Sequence, residues 1–377
     1  MKKLLSILLA ALMLLTMASA AFATESNYKI AILTGTTTQG EEEYYAATAL
    51  KEKYPGKVLH DTYPDSFSSE VEVTIGKLLQ FANDPEVKAI IFVQGVQGAT
   101  AAFNQIKTEL GRDDILLIAG VPAEDPADIG AAADIVLAVD EIGCGYQVAD
   151  MAALWECDVI VHYSFARHLS YETIVGKRDA MKMTAETYGI EFVERDCPDP
   201  AGDAGTSGAQ AAVLEDVPKV MEEYAGKKVA FYCTNCGIQV ALQQAVLEEE
   251  NAYYPLPCCP SPYHGYQEAF GLEATYGDID GAIANVAEFL DERDATGRYS
   301  TWSIPINMSM INGGYEYACA WAEGKLESKI DEAFLGECFS KAAGVEAAMG
   351  KYVGANGEEV SNYYLIAFEP IDFADYL

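Results

Sequence analysis

The sequence predicts an α/β protein made of two doubly wound parallel-sheet lobes, and three observations carry that reading. Short apolar runs rich in β-branched residues alternate with stretches of helical period along nearly the whole chain. That alternation is the pattern of βα units feeding a parallel sheet. The 377 residues exceed one typical domain and suit two of roughly 100–200. Half of the residues are hydrophobic, so each unit can bury a full core.

The chain opens on Met1-Lys2-Lys3, then the apolar run Leu4 to Met17. The small-residue sites Ala18-Ser19-Ala20 and Ala21-Phe22-Ala23 follow. This is the layout of a secretory leader over 1–23. The run is short for a membrane span, and no later run reaches ~18 apolar residues. No cysteine lies near the cleavage sites, so no lipid anchor is expected. The net charge is −34, which argues against nucleic acid and anionic membrane surfaces as partners.

Lys29 to Leu33 reads as the first strand. Thr38 and Glu41 have capping-box spacing, which starts a helix running to about Tyr54. Glu41, Glu42 and Glu43 then read as a solvated first turn favoured by the helix dipole. Lys57 to Leu59, Val87 to Val93, Ile115 to Ala119 and Ile135 to Val139 are strands, with a helix over Ser69 to Asn83 and another after Gly98. A second run has a helix over Gly143 to Trp155, a strand over Asp158 to His162 and a helix over Thr173 to Tyr188. The strand Ile190 to Arg195 and a helix through Val213 and Met221 follow. Tyr253 to Cys258 reads as an edge strand flanked by prolines. Beyond it come a helix near 279–290, a strand at 299–304 and helices at 308–322 and 334–349. The last strand is Tyr363 to Phe368.

The most informative stretch is 228–242. Val229 to Tyr232 is a buried strand, and Ile238, Ala241, Leu242, Ala245 and Val246 recur at helical spacing. The turn between them, Cys233 to Gly237, lies at the carboxyl end of a strand and the amino end of a helix, where ligands bind open α/β sheets. Asn235 can cap that helix, and its amide can also donate to and accept from a ligand. The corresponding turns of the first half offer Thr36, Thr37, Gln39, Gln94 and Gln97, all neutral and hydrogen-bonding. Tyr163, Tyr263 and Trp302 offer stacking surfaces, which together suit a polar, partly planar ligand.

Five of the nine cysteines fall near strand ends of the second half: Cys197, Cys233, Cys236, Cys258 and Cys259. The leading expectation makes them small buried residues at tight turns. Disulfides joining Cys233 or Cys236 to Cys258 or Cys259 are a second reading in an exported chain. A soft metal is a third, with vicinal Cys258-Cys259 a poor chelating pair. His162, His168 and His264 lie near the same ends, with two readings open, cleft residues or ordinary loop histidines. No Ser-His-Asp order, dinucleotide fingerprint or His-x-x-x-His pair appears, so no catalytic residue, metal or cofactor is assigned.

The order of elements resembles the type I periplasmic solute-binding proteins, the ribose-binding and basic-membrane-protein group. Val136 to Tyr146 looks like that family's crossover between lobes, with Asp140 as its polar residue. Asp158 to Phe165 followed by Thr173 to Tyr188 looks like the strand and helix carrying a basic ligand contact, where Lys177 or Arg178 falls. Asn235 falls on the amide of the family's amide-acid pair, whose acid is here Cys236. Cys258-Cys259-Pro260 stands where sugar binders carry an aspartate, so no sugar is assigned.

The resemblance implies residues 24–141 plus 265–325 as lobe one and 142–264 plus 326–377 as lobe two. A multi-strand hinge would join them near Asp140, Gly265 and Lys325. It implies an exported protein that closes on a small polar ligand and hands it to an ABC-type permease or membrane sensor. The implied contacts are Thr37, Gln39, Gln94, Gln97, Asp140, Tyr163, Lys177, Asn235, Cys259 and Tyr263. An exported enzyme or metal-handling protein using the cysteine and histidine cluster is the alternative. N-terminal sequencing of exported material should begin after Ala20 or Ala23; an intact Met1 or a lipid-modified new terminus would refute the leader as read.

Overall fold

The structure, a computed structural model, describes residues 27–273, 276–354 and 356–377; the expected leader lies outside them. Chain order begins β1 (Lys29–Thr34), α1 (Thr37–Lys53), β2 (Val58–Thr62), α2 (Val71–Ala82), β3 (Val87–Val93), α3 (Ala99–Thr108), β4 (Leu116–Gly120), α4 (Pro126–Ala132) and β5 (Ile135–Val139). It continues with α5 (Glu141–Leu154), β6 (Val159–Ser164), α6 (Glu172–Tyr188), β7 (Glu191–Asp196), α7 (Gly205–Glu223), β8 (Val229–Cys233), α8 (Cys236–Leu247), β9 (Ala252–Tyr253), α9 (Tyr266–Phe270) and α10 (Ile279–Asp291). The chain closes with β10 (Ser300–Trp302), α11 (Ile306–Ala322), α12 (Glu332–Ala343), β11 (Ala348–Val353), β12 (Glu359–Ala367) and β13 (Pro370–Asp372).

The strands form two main sheets, as the βα alternation predicts. The first has the order β11-β12-β5-β4-β3-β1-β2, parallel except for edge strand β11. The second has the order β7-β6-β8-β9, all parallel. Both sheets are covered on two faces, so the central strands β1, β3, β4, β5, β6 and β8 are buried nearly throughout rather than alternating, while β2 and β7 at the edges carry polar residues. Ile30, Ile32, Ala89 and Ile91 face one core layer, and Ala31, Leu33, Ile90 and Phe92 face the other. In the second sheet, Val159, Val161, Val229 and Phe231 bury against α7, α8 and α10. No helix among the described residues is long and apolar enough to cross a membrane.

Strand pairing corrects the expected lobe boundaries. Residues 326–377 were expected in lobe two, yet β12 pairs in parallel with β5 of the first sheet, Tyr363 beside Val136. Residues 265–325 were expected in lobe one, yet α10 puts Ile283, Val286 and Leu290 into the core of the second sheet. Only the end of that stretch, α11, lies on the first sheet, where Gly314 faces Ile91 and Ile118. The chain therefore changes lobes near Asp140, near 303–305 and near 368–369. A small antiparallel ribbon, β10 with β13, sits by the last two crossings. The helix expected over 334–349 ends at Ala343, where Gly344 takes a left-handed φ of 74°. Strand β11 follows it. Such long-range pairings leave little local trace.

The start of α1 also differs from expectation. Its cap is Thr36, whose hydroxyl accepts from Thr38 N at 3.3 Å. The helix kinks at Gly40. Glu42 and Glu43 are not solvated; both are fully buried against the start of α11. Glu43 Oε2 accepts from Asn307 Nδ2 at 3.1 Å. Its carboxyl folds back over Gly40, where a Cβ would stand 1.5 Å from Oε1, so a larger residue at 40 would have to push that carboxyl aside.

Burial pushes the Glu43 carboxyl up to about 8 from an ordinary 4.5. A carboxyl raised on folding contributes stability that is fully present below its unfolded value and lost as pH rises through its folded value. Stability should therefore fall between about pH 4.5 and 8. In Glu43→Gln that decline should shrink, by up to about 5 kcal/mol over the window. Urea denaturation at several pH values checks it, and an unchanged slope would mean that Glu43 does not hold its proton.

Candidate functional site

A cavity of about 410 Å³ lies between the carboxyl ends of the two sheets. Its position follows from strand order. In the first sheet the chain winds outward in opposite directions from β1 and β3; in the second it does so from β6 and β8. Ligands of open α/β sheets sit at such switch points. Gln39 comes from the first turn of α1, after β1, and Gln94 from the turn after β3. Arg167 and His168 follow β6, and Thr234, Asn235 and Cys236 follow β8.

Asn235 is held on two sides. Its Oδ1 accepts from Gly237 N at 2.9 Å, capping α8. That orients the amide so that Nδ2 donates to His168 Nε2 at 3.3 Å. The other ring nitrogen, Nδ1, then carries the proton and donates to Thr234 Oγ1 at 3.2 Å. Thr234 in turn meets Ser164 Oγ at 3.0 Å. Burial pushes His168 down to about 3, so the ring is a neutral relay in this chain of bonds. One N–H of the Asn235 amide remains for the cavity.

The charged groups around the cavity are already paired. Arg167 grips Asp199 through Nε and Nη2 at 2.7 and 2.8 Å. Lys177 is 1% exposed and pairs with Glu141 from the start of α5. Burial alone would push the ammonium down, but Glu141 holds it well above its ordinary value. Lys177 Nζ also donates to Tyr232 Oη at 2.9 Å and to the Cys258 carbonyl at 3.3 Å. Glu124 accepts from Gly98 N and Thr100 N at 2.7 and 2.6 Å, holding the start of α3. Asp125 accepts from Ala127 N and Asp128 N at 2.9 and 3.3 Å, holding the start of α4. The amides of Gln39, Gln94 and Asn235 add neutral polar surface, and Tyr63, Phe67, Val96 and Ile174 give the cavity an apolar side.

The backbone is strained here as well. Gln94 has φ of 58° and Val121, after β4, has φ of 45°. A β-branched residue with positive φ is a costly conformation that clusters at functional sites.

Five expected contacts line this cavity: Gln39, Gln94, Lys177, Asn235 and Cys259. Gln97 bonds a lining residue, giving Nε2 to Tyr171 Oη at 2.7 Å. Thr37 lines a neighbouring cavity of about 330 Å³, with Gln239 and His264. Three expectations are corrected. Asp140 is the cap of α5, accepting from Gly143 N at 2.9 Å. Tyr163 points into the second-lobe core, stacked on Phe231, with its hydroxyl on Asp216 at 2.9 Å. Tyr263 is buried against Tyr276, its hydroxyl accepting from Gly277 N at 3.0 Å. Trp302 is buried too, donating Nε1 to Gln147 at 2.8 Å. Tyr63, Arg167 and Tyr171 were missed as lining residues, although Arg167 and Tyr171 lie in the loop between β6 and α6.

The cysteines divide. Cys197 and Cys233 are core residues of the second lobe. Cys236, Cys258, Cys259 and His264 converge, with one ligand atom from each lying within 4.8 Å of every other. Of the histidines, His168 faces the ligand cavity, His264 joins the thiols, and His162 stacks on Tyr232 inside the lobe.

Known proteins share this architecture. A proposed transcriptional regulator from Clostridium difficile 630 superposes with a TM-score of 0.72 at 18% identity, over 92% of this chain and 99% of that one. An ABC transporter periplasmic solute-binding protein from Actinobacillus succinogenes 130z, with bound D-allose, gives 0.55 at 11% identity, over 82% and 99%. One from Mycobacterium smegmatis with bound glycerol gives 0.52 at 11%, over 81% and 90%. The fold is that of the type I periplasmic binding proteins. In sequence, an uncharacterized protein of Treponema pallidum (strain Nichols) is 36% identical over 183 residues, 47% of this chain and 82% of that protein. A second from the same organism is 33% identical over 171 residues, 45% and 78%. Residues 28–300 match the family described as "Protein of unknown function (DUF3798)", and the chain belongs to that family.

Proposed function

We propose that the protein is a binding protein that holds a small, uncharged, polar ligand between its lobes. The observation that carries this reading is the pairing of charges around the cavity. Arg167 and Lys177 are each spent on a carboxylate, so an anionic ligand finds no free cation, and the Glu124 and Asp125 carboxylates are spent on backbone N–H groups at the starts of α3 and α4. The groups left for it are the Asn235 amide, Gln39 and Gln94 beside an aromatic wall. A cavity of about 410 Å³ falls within the roughly 300–1,000 Å³ of small-molecule sites. The D-allose and glycerol of two fold relatives are uncharged and hydroxyl-rich.

The lobes meet beside the cavity. Gln97 reaches Tyr171, Gln94 Nε2 lies 3.9 Å from Cys236 Sγ, and Gly265 N donates to Glu41 at 3.2 Å. Three crossings allow these contacts to open and close as a hinge. With a leader over 1–23, the reading extends to an exported receptor that delivers ligand to a permease or sensor. The net charge of −34 argues against a DNA-binding role.

Mass spectrometry of small molecules released on denaturation should find a neutral polar compound. An anionic or cationic one bound by the native protein would overturn the reading. Asn235→Ala should weaken binding of that compound about tenfold to a hundredfold, the 1–3 kcal/mol of an unpaired buried hydrogen-bonding group. The lost cap alone would cost about 1 kcal/mol of stability. Calorimetric titration and melting of one sample separate the two, and a variant that melts earlier yet binds as tightly reduces Asn235 to a cap.

Lys177 should behave in the opposite way. Lys177→Met strands Glu141 and should cost about 3–5 kcal/mol of stability. The double variant Lys177→Met/Glu141→Gln should recover most of that loss in denaturant titration. Failure to recover would mean that Lys177 contributes through something other than the pair.

A further inference from the structure

Cys236, Cys258, Cys259 and His264 form a cluster whose position the ligand cavity does not require. Cys236 is the first residue of α8. Cys258 and Cys259 lie in the loop beyond β9, the strand beside β8, and His264 lies further along that loop. Cys236 Sγ is 3.3 Å from Cys258 Sγ, and Cys258 Sγ is 3.6 Å from His264 Nε2. Adjacent cysteines in a strand would point to opposite faces. Here they sit in a bend, so both thiols turn to one side.

The loop is held in place for this. Gln239, one turn along α8 from Cys236, accepts from Cys258 N at 2.9 Å and donates to the His264 carbonyl at 2.8 Å. Gln243 donates to that carbonyl at 3.2 Å, and Gln267 to the Pro262 carbonyl at 3.1 Å. The Lys177 ammonium reaches the Cys258 carbonyl from the other side. Both loop cysteines and His264 are buried, at 4%, 6% and 2% exposure. Among the described residues, His264 Nδ1 has no hydrogen-bond partner.

Three thiols and an imidazole are a poor reason to hold a loop so firmly. Thiols are weak donors and weak acceptors. A disulfide would use two sulfurs and leave the third thiol and His264 Nε2 facing a site with no work to do. The donor set does match one occupant. Zinc takes three cysteine thiolates and one histidine in a closed tetrahedron, with Zn–S near 2.3 Å and Zn–N near 2.0–2.1 Å. Such bonds space sulfurs about 3.8 Å apart, and donors already within 4.8 Å of one another need only small side-chain rotations to reach that spacing.

We propose that Cys236, Cys258, Cys259 and His264 bind one zinc ion as thiolates and neutral imidazole. The site is structural, since four protein donors leave no open position. It joins the loop 258–264 to the start of α8, one residue beyond Asn235, and so stiffens one wall of the cavity. It stands whether or not the neighbouring cavity takes a neutral ligand.

Protein purified without chelator, in reductant and without air, should carry about one zinc per chain by elemental mass spectrometry. Apoprotein titrated with Co(II) should develop the intense visible bands and thiolate charge-transfer absorption of a tetrahedral sulfur-rich site. This test needs no variant. Reduced protein that takes up neither metal, or that gives a weak octahedral Co(II) spectrum, overturns the proposal. So does a Cys236–Cys258 disulfide found in the anaerobically purified protein by intact mass and peptide mapping.

Cys258→Ser should lower Co(II) affinity at least tenfold, and His264→Ala should lose or shift the Co(II) bands. Cys233→Ser, in the core and outside the cluster, should keep both stoichiometry and spectrum. Uptake unchanged in Cys258→Ser and His264→Ala would place the metal elsewhere and refute the assignment.

Discussion

The structure depends on one topological constraint, the reversal of strand order in each of two parallel sheets. Where β1 and β3 diverge, the turns that follow them cannot be covered by the next helix, and a crevice opens at their carboxyl ends. The same happens between β6 and β8. Crossing the chain between lobes three times brings the two crevices face to face. The residues in those turns need only be polar and short. Gln39, Gln94, His168 and Asn235 line one cavity because the sheets aim them at one volume.

What the sequence disclosed follows from how local each feature is. Strand β5, and β3 from Ala89 onward, are continuous apolar runs, legible because burial on both faces removes any polar alternation. Asn235 was legible because a strand, a turn and a helix period meet within fifteen residues. Tyr163 and Tyr263 were misplaced because an aromatic residue near a strand end gives no sign of which face it takes. Tyr163 lies inside β6, and its face is fixed by packing on Phe231. Glu42 and Glu43 misled for a related reason. Three glutamates at a helix start look solvated unless one knows that α11, more than 250 residues away, closes over them. The tail was assigned to the wrong lobe because β12 pairs with β5 across a sequence gap that leaves no periodic mark.

Burying charge at the lobe junction sets the character of the site. An unpaired ion there would be costly, so each cation has a carboxylate partner, and the pairs also join elements. Glu141 to Lys177 ties α5 to α6, and Arg167 to Asp199 ties the turn after β6 to the loop after β7. The pairs are therefore part of the cavity wall, beside the uncharged amides of Gln39, Gln94 and Asn235. His168 fits the same pattern. Held neutral by burial, it passes orientation from Thr234 to Asn235 and adds no charge.

The positive φ values at Gln94 and Val121 complete the argument from the first lobe. Both residues end a parallel strand and must turn the chain at once toward the next helix. Gly95 N donates to Gly120 O at 2.9 Å and Val121 N to Leu137 O at 2.7 Å, so neighbouring turns brace one another. Relaxing either residue to an ordinary φ would break that bracing. It would also swing Gln94 away from Gln39 and Cys236, which its side-chain amide approaches at 3.5 and 3.9 Å. The strain therefore holds a first-lobe amide against the second lobe at the turn that bears Asn235. A glycine would relieve the strain at 94, but it would remove the amide that reaches across.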